Sequence, residues 1–311
     1  MRMQRTIKKA VQCSGIGLHS GERVALRLLP APEGTGIVFI KKTGNGSVSV
    51  KADGTRVIAT DLCTTIGENG SSIKTVEHLL SCLAGLEIDN VYVEIDSSEV
   101  PILDGSAAPF ISILSEAGVV EQKKIQPVIR VTRPIEVRDG KKYIRLTPPK
   151  GRGSEGLGLT MSCRIRFEKP FRIHQTRKYT ASPVRFIREI AEARTFGFLN
   201  EVEALRARGL AKGGSLENAV VVSESGVVNE EGLRFADEFI RHKILDLVGD
   251  LSLLGKPLAA HVEAFCPGHQ LNTRLVSNLL NSPDCWVLET GTEQNPRTVR
   301  PAVPALAPVN F

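Results

Sequence analysis

The stretch Glu238-Phe239-Ile240-Arg241-His242-Lys243-Ile244-Leu245-Asp246-Leu247-Val248-Gly249-Asp250 decides how this chain folds. Phe239, Ile240, Ile244, Leu247, Val248 and Leu251 fall at helical spacing on an apolar stripe, whereas His242, Asp246 and Asp250 recur every fourth residue on a polar one. The spacing predicts a helix over about residues 237–254. Gly249 stands seven residues after His242, and a strand containing His261-Val262-Glu263 follows. An earlier segment repeats this order: His78, then Gly85 seven residues on, then a strand containing Val93-Glu94. A helix with a histidine, a glycine and a following strand, met twice, suggests two pseudo-symmetric α+β halves.

Working outward, the helix of the first half is expected at 74–84, capped by Ser71 or Ser72 and stopped by Gly85. Strands are expected at 24–29, 36–40 and 90–95, and a second helix at 109–117. The polar run 121–127 ends in Pro127 and marks the boundary between a first domain (1–122) and a second (128–290). In the second half strands are expected at 128–137, 142–146 and 159–167, with a glycine-rich loop at 150–158. Ser182-Pro183 starts a helix over 183–193, and another covers 201–208. The segment from Thr290 to Phe311 carries four prolines and no helical or strand period, so 291–311 is expected to be a disordered tail.

At 311 residues, 41% hydrophobic and 24% charged, the composition is that of a globular protein and excludes collagen-like and coiled-coil classes. No apolar run approaches a membrane span, and the first residues lack the apolar core of a secretion signal. Six scattered cysteines without a CxxC pair read as reduced thiols, and the chain is expected to be cytoplasmic. The net charge of +6 is uneven, because residues 126–188 hold 16 Lys/Arg against 4 Asp/Glu. A basic module for nucleic acid is the rival that this charge suggests. Such a module has no use for paired His and carboxylate residues on helices.

Those pairs point to a metal. Glu77 and His78 are adjacent on one helix and can address one bound object from two sides. His242 and Asp246, one turn apart on another, can ligate the same ion. Catalytic zinc takes three N or O ligands, so His78, His242 and Asp246 would hold it between the two halves, with Glu77 as the nearby base.

The chain resembles the UDP-3-O-acyl-N-acetylglucosamine deacetylases of lipid A biosynthesis over about residues 4–290. Segments that carry the likeness include Gly15-Ile16-Gly17-Leu18-His19-Ser20-Gly21, Thr75-Val76-Glu77-His78-Leu79, Pro101-Ile102-Leu103-Asp104-Gly105-Ser106-Ala107-Ala108-Pro109-Phe110, Ala193-Arg194-Thr195-Phe196-Gly197-Phe198, and the helix quoted above. The resemblance implies an α+β fold of two pseudo-symmetric two-layer sandwich domains, with the active site at their interface. It implies a Zn²⁺ enzyme, with Fe²⁺ as the other candidate ion, that releases acetate from acylated UDP-N-acetylglucosamine. By the same likeness His78, His242 and Asp246 are metal ligands, Glu77 the general base and His269 the general acid. Asp250 orients His269, Thr195 steadies the oxyanion, and Lys243 binds substrate. Phe196, Phe198, Val202, Ala211, Ser215, Leu216 and Ala219 are implied to line an acyl passage, and Phe167 to carry the uracil ring. Relatives can hold a basic residue where this chain has Cys266. Arg164 and Arg166 are among the basic residues expected to serve the diphosphate instead. The implied partner is a small molecule, with no nucleic acid, at most peripheral membrane contact, and a monomeric state. A hydrolase of the same fold with another acylated substrate is the alternative within the enzyme class.

Overall fold

The computed structural model describes residues 2–44, 46–149, 158–292 and 295–299. After β1 (Met3–Ile7) come two hairpins, β2 (Val11–Ile16) with β3 (Arg23–Pro30) and β4 (Ile37–Thr43) with β5 (Gly46–Lys51). Three short strands follow, β6 (Val57–Ala59), β7 (Thr65–Glu68) and β8 (Ser71–Ile73). Helix α1 (Glu77–Gly85), strand β9 (Val91–Ile95), helix α2 (Ala108–Ala117) and strand β10 (Val119–Ile125) complete the first half.

The second half opens with β11 (Val128–Val131) and then repeats the plan. Its hairpins are β12 (Ile135–Asp139) with β13 (Lys142–Thr147) and β14 (Leu159–Phe167) with β15 (Ile173–Thr180). Helix α3 (Pro183–Glu189) leads to an insert of β16 (Phe196–Phe198), α4 (Leu199–Ala207), β17 (Val220–Ser223) and β18 (Gly226–Val227). Then come α5 (Glu238–Ser252), β19 (Leu258–Phe265), α6 (His269–Leu280), β20 (Trp286–Thr292) and β21 (Asn295–Val299).

The two halves share one topology. The first sheet runs β2-β3-β9-β4-β5, and the path β12-β13-β19-β14-β15 has the same order in the second. In both, the late strand enters between the two hairpins, antiparallel to one (β3, β13) and parallel to the other (β4, β14). Val93 and Val262 occupy the central strands and are buried, while Glu94 lies opposite Arg27 and Glu263 opposite Arg145. The Val-Glu pairs seen as a repeat in sequence are therefore equivalent positions. Their alternation turns one side chain to the core and the next away from it.

Helices cover one face of each sheet, and α1 packs against α5 where the halves meet. One continuous buried cluster runs through both halves, from Leu26, Phe39 and Leu79 to Ile244, Val262 and Leu275. Gly249 permits the closest helix approach: a Cβ there would lie 2.1 Å from the Glu77 carbonyl oxygen.

Several boundaries differ from the sequence reading. Ser71 lies in β8 rather than capping α1, whose first residue is Glu77 and whose start has no side-chain cap. The polar run at 121–127 is not a linker over most of its length, because β10 pairs antiparallel with β1. Its outward residues are polar because they belong to an exposed strand. The strand expected over 128–137 is two, β11 and β12, on either side of Pro134. Ser182 does cap α3, accepting from the Arg185 N–H, but the helix ends at Glu189. The segment thought to have no strand period contains β21, which pairs with β20. The glycine-rich loop lies outside the described residues from 150 to 157, as do 300–311.

Candidate active site

Helix α1 contributes Glu77 and His78 at its first turn, and α5 contributes His242, Asp246 and Asp250 on successive turns. All five are buried. Such polar burial is tolerated only where the groups satisfy one another or a ligand.

His78, His242 and Asp246 offer ligand atoms that lie within 4.8 Å of one another. His242 Nε2 is 3.3 Å and His78 Nε2 3.7 Å from Asp246 Oδ1. His242 Nδ1 donates to the Ala193 carbonyl oxygen at 3.0 Å, which leaves a lone pair on Nε2. Burial holds this imidazole at a pKa of about 3, so the ring is neutral at pH 7. A lone pair and a carboxylate oxygen then face each other, and Asp246 Oδ1 has no hydrogen-bond partner. Two acceptors opposed in a buried site repel each other, and a cation between them would relieve that repulsion. Four-coordinate zinc, with bonds of about 2.0–2.1 Å, places neighbouring ligand atoms about 3.3 Å apart, so the donor set fits such an ion.

Burial alone would raise the Asp246 carboxyl, but the neighbouring His242 and Lys243 outweigh it and hold the group well below its usual range. Lys243 Nζ donates to Asp246 Oδ2 at 2.8 Å and lies 5.4 Å from the centre of the Phe196 ring. His78 is held differently from His242. Its Nδ1 has no partner, and its ring packs edge-on to His242 at 5.0 Å between centroids.

A second group of residues adjoins the first. His269, the first residue of α6, donates from Nδ1 to Asp250 Oδ2 at 2.9 Å, and its Nε2 lies 3.7 Å from Glu77 Oε1. Burial opposes a charge on His269, but the Asp250 and Glu77 carboxylates outweigh it and raise the imidazole to about 9. Burial pushes the Glu77 carboxyl above the usual carboxylate range, against the pull of His269 and His78. Glu77 Oε2 accepts from the Thr64 backbone N–H at 3.0 Å, and Thr64 Oγ1 donates to Asp250 Oδ1 at 2.5 Å. Asn272 Nδ2 donates to Asp250 Oδ2 at 2.8 Å. Asp250 is thus fixed on both oxygens, and His269 is fixed through it.

Thr64 and Asn272 were not singled out by sequence. Neither carries a spacing signal, since each meets Asp250 only through the fold. His19 is a third such residue, buried with both ring nitrogens unpartnered. Its backbone N–H donates to Glu99, which also accepts from Ser20 N and Thr75 Oγ1.

Thr195 stands between Ala193, whose carbonyl partners His242, and Phe196, whose ring centroid is 6.2 Å from that of His242. Phe196 and Phe198 lie on β16, and Phe167 at the end of β14 joins them at 6.0 and 5.6 Å. Parallel pairing of β16 with β17, connected through α4, builds the insert beside the site. Val202 and Ala219 are half-buried there, Ala211 has a positive φ of 52°, and Ser215 and Leu216 are exposed.

Part of the local positive charge is paired within the fold. Arg138 and Arg145 pair with Glu136, Arg166 and Arg172 with Glu168, and Arg177 with Glu189 and Asp237. Arg164 instead lies over the Phe265 ring at 5.1 Å, next to Cys266. No helix among the described residues is long and apolar enough to cross a membrane.

The family model for UDP-3-O-acyl N-acetylglycosamine deacetylase matches residues 4–281. The chain belongs to this family. A UDP-3-O-acyl-N-acetylglucosamine deacetylase of Myxococcus xanthus is 47% identical to it over 283 residues, covering 91% of this chain and 88% of the relative. One of Oleidesulfovibrio alaskensis is 45% identical, covering 98% and 99%. One of Acidithiobacillus ferrooxidans is 46% identical, covering 92% of each. Within this family the buried His78, His242 and Asp246 cluster is a possible metal site.

Proposed function

We propose that this chain is a metal-dependent deacetylase that hydrolyses the N-acetyl amide of a UDP-3-O-acyl-N-acetylglucosamine, giving acetate and the free amine. The observation that carries the metal reading is the buried, unpartnered Asp246 Oδ1 opposed to two imidazole nitrogens. The substrate reading rests on family membership over most of the chain.

His78, His242 and Asp246 would hold the ion, Zn²⁺ or Fe²⁺ by the chemistry of two imidazoles and a carboxylate. Once bound, the ion supplies Lewis-acid polarisation of the amide carbonyl and acidifies water beside it. Glu77 Oε1 takes a proton from the attacking water as the new C–O bond forms. The Thr195 hydroxyl donates to the developing oxyanion. His269, protonated at neutral pH, gives the Nε2 proton to the departing nitrogen as the C–N bond breaks. Asp250, held by Thr64 and Asn272, keeps the His269 ring in place for that transfer. Lys243 stands beside the ligands as a cation that orients an anionic or polar part of the substrate. Phe196 and Phe198, with the insert carrying Val202, Ala211, Ser215, Leu216 and Ala219, supply the apolar surface for an acyl chain. Phe167 offers a ring face for the uracil, and Arg164, free of a carboxylate in the salt bridges of this region, is the basic group we assign to the diphosphate.

We read the enzyme as a cytoplasmic monomer acting on a lipid A precursor. Acetate release from acylated UDP-N-acetylglucosamine tests the reading. Release that is lost on chelation and restored by Zn²⁺ or Fe²⁺ is expected. A fully active metal-free protein, or one that releases no acetate when metal-loaded, would overturn it.

A further inference from the structure

A cavity of about 230 Å³ opens between the two halves at the C-terminal ends of α1 and α5, away from the Glu77 site. Leu80, Leu83, Ile88, Val248 and Leu251 form its apolar wall, and Tyr179 closes one side. Cavities of about 150 Å³ already accept benzene when their walls are apolar, so this one has room for a larger apolar body.

Five charged residues border it: Arg2, Lys51, Glu87, Asp89 and Lys256. The two carboxylates are occupied. Arg2 grips Asp89 through its two terminal guanidinium nitrogens, at 2.5 and 2.8 Å, and its Nε lies 3.4 Å from Glu87, which Arg5 also holds at 2.9 Å. The helix-end carbonyls are occupied as well, because Cys82 O, Leu83 O and Ala84 O accept from Leu86, Ile88 and Glu87, and Asp250 O, Leu251 O and Ser252 O accept from Leu253, Leu254 and Gly255. Lys51 and Lys256 are left. Neither has a salt bridge or hydrogen-bonding partner among the described residues. Burial, reinforced by Lys51 and only partly offset by Asp89, holds the Lys256 ammonium below its usual value, which places the two cations in each other's field.

Two unpaired ammonium groups at the edge of an apolar cavity match one kind of molecule. We propose that this cavity is a second ligand site, for a short amphipathic anion, an acyl carboxylate or an alkyl phosphate, with its head on Lys51 and Lys256 and its apolar body against Leu80, Leu83, Val248 and Leu251. The proposal rests on the cavity and its charges, not on the catalytic reading.

Amide chemical shifts of the full-length ¹⁵N-labelled chain, titrated separately with octanoate, octyl phosphate, octanol and octyltrimethylammonium, test it. Saturable shifts are expected at Gly36, Gly85 and Gly255, which border the cavity, with at least one of the anions bound about ten-fold or more tightly than octanol and than the cation. Tighter octanoate identifies the head as carboxylate, and tighter octyl phosphate identifies it as phosphate. In the double variant Lys51→Gln, Lys256→Gln the preferred anion should fall to the affinity of octanol. Shifts confined to Gly197 and Gly214 of the insert, or octanol bound as tightly as both anions, would overturn the proposal. The ligand series in the wild-type chain decides the question even if the variant fails to fold.

Discussion

Gly249 of α5 lies against the backbone of Glu77 so closely that a methyl group at that position would sit 2.1 Å from the Glu77 carbonyl oxygen. This contact sets the separation of the helices that carry Glu77 and His78 on one side and His242, Asp246 and Asp250 on the other. Gly249→Ala should push α1 from α5. Overpacking of this kind costs about 1–3 kcal/mol, against a gain of about 1 kcal/mol in helix propensity. A lower denaturation midpoint together with weaker metal binding is expected. An unchanged midpoint with full metal affinity would show that the helices have slack.

Glu77→Gln keeps the shape of the side chain but cannot accept the proton. Acetate release should fall by about 10²–10⁴-fold, the usual range for a lost general base, while the metal content stays near one ion per chain. Metal analysis beside the rate separates this outcome from simple loss of the ion. Wild-type turnover in this variant would remove Glu77 from the role of base.

The pH dependence follows from two upward shifts, one on the acid and one on the base. His269 must be protonated to donate, so activity is lost as pH rises through about 9. Glu77 must be ionised, and because burial raises its pKa, activity falls on the acid side at a pH above the ordinary carboxylate range. Asp250→Asn removes the partner that most raises His269 and should move the alkaline limb to lower pH while leaving the acid limb. A kcat profile in which the alkaline limb stays near 9 in this variant would detach His269 from Asp250.

Metal removal should also be visible in stability. An ion that binds only the folded chain adds about 2.7 kcal/mol when its free concentration is 100 times its dissociation constant. Chelation is therefore expected to lower the Tm of the wild-type chain. His242→Ala should abolish that response, because the remaining ligands can no longer close the site. Calorimetric scans with and without chelator make the comparison.

Phe198 tests the acyl surface. Phe198→Ala removes a ring that packs on Phe167 and Phe196. KM for the acylated substrate should rise by about ten-fold, the effect of roughly 1.4 kcal/mol of lost apolar contact. Hydrolysis of UDP-N-acetylglucosamine without the acyl chain should change little. Equal losses on both substrates would point to a damaged site rather than a passage.

Much of this molecule could be read from one dimension. The His78-to-Gly85 and His242-to-Gly249 repeat, each followed by a Val-Glu strand, anticipated two halves of like topology because helix and strand periods are local properties of the chain. The residues of the possible metal site were also legible, since an i, i+4 spacing places His242 and Asp246 on one helical face by geometry alone. The boundaries were less so. Ser71 has the chemistry of a cap but pairs in β8, and the polar run at 121–125 forms an edge strand with β1, a partner more than a hundred residues away.

Pattern and residue type thus determined the helices, the central strands and the base and ligand candidates, while the acid candidate His269 came only from the resemblance to the family. Only the tertiary structure decided that Thr64 and Asn272 hold Asp250, that the buried Asp246 Oδ1 faces two imidazole rings without a hydrogen-bond partner, and that several arginines of the basic region are paired with carboxylates. The reason is the same in each case: hydrogen bonds, ion pairs and the approach allowed by Gly249 depend on distances between elements, and no period in the sequence encodes a distance between segments that the chain brings together only when folded.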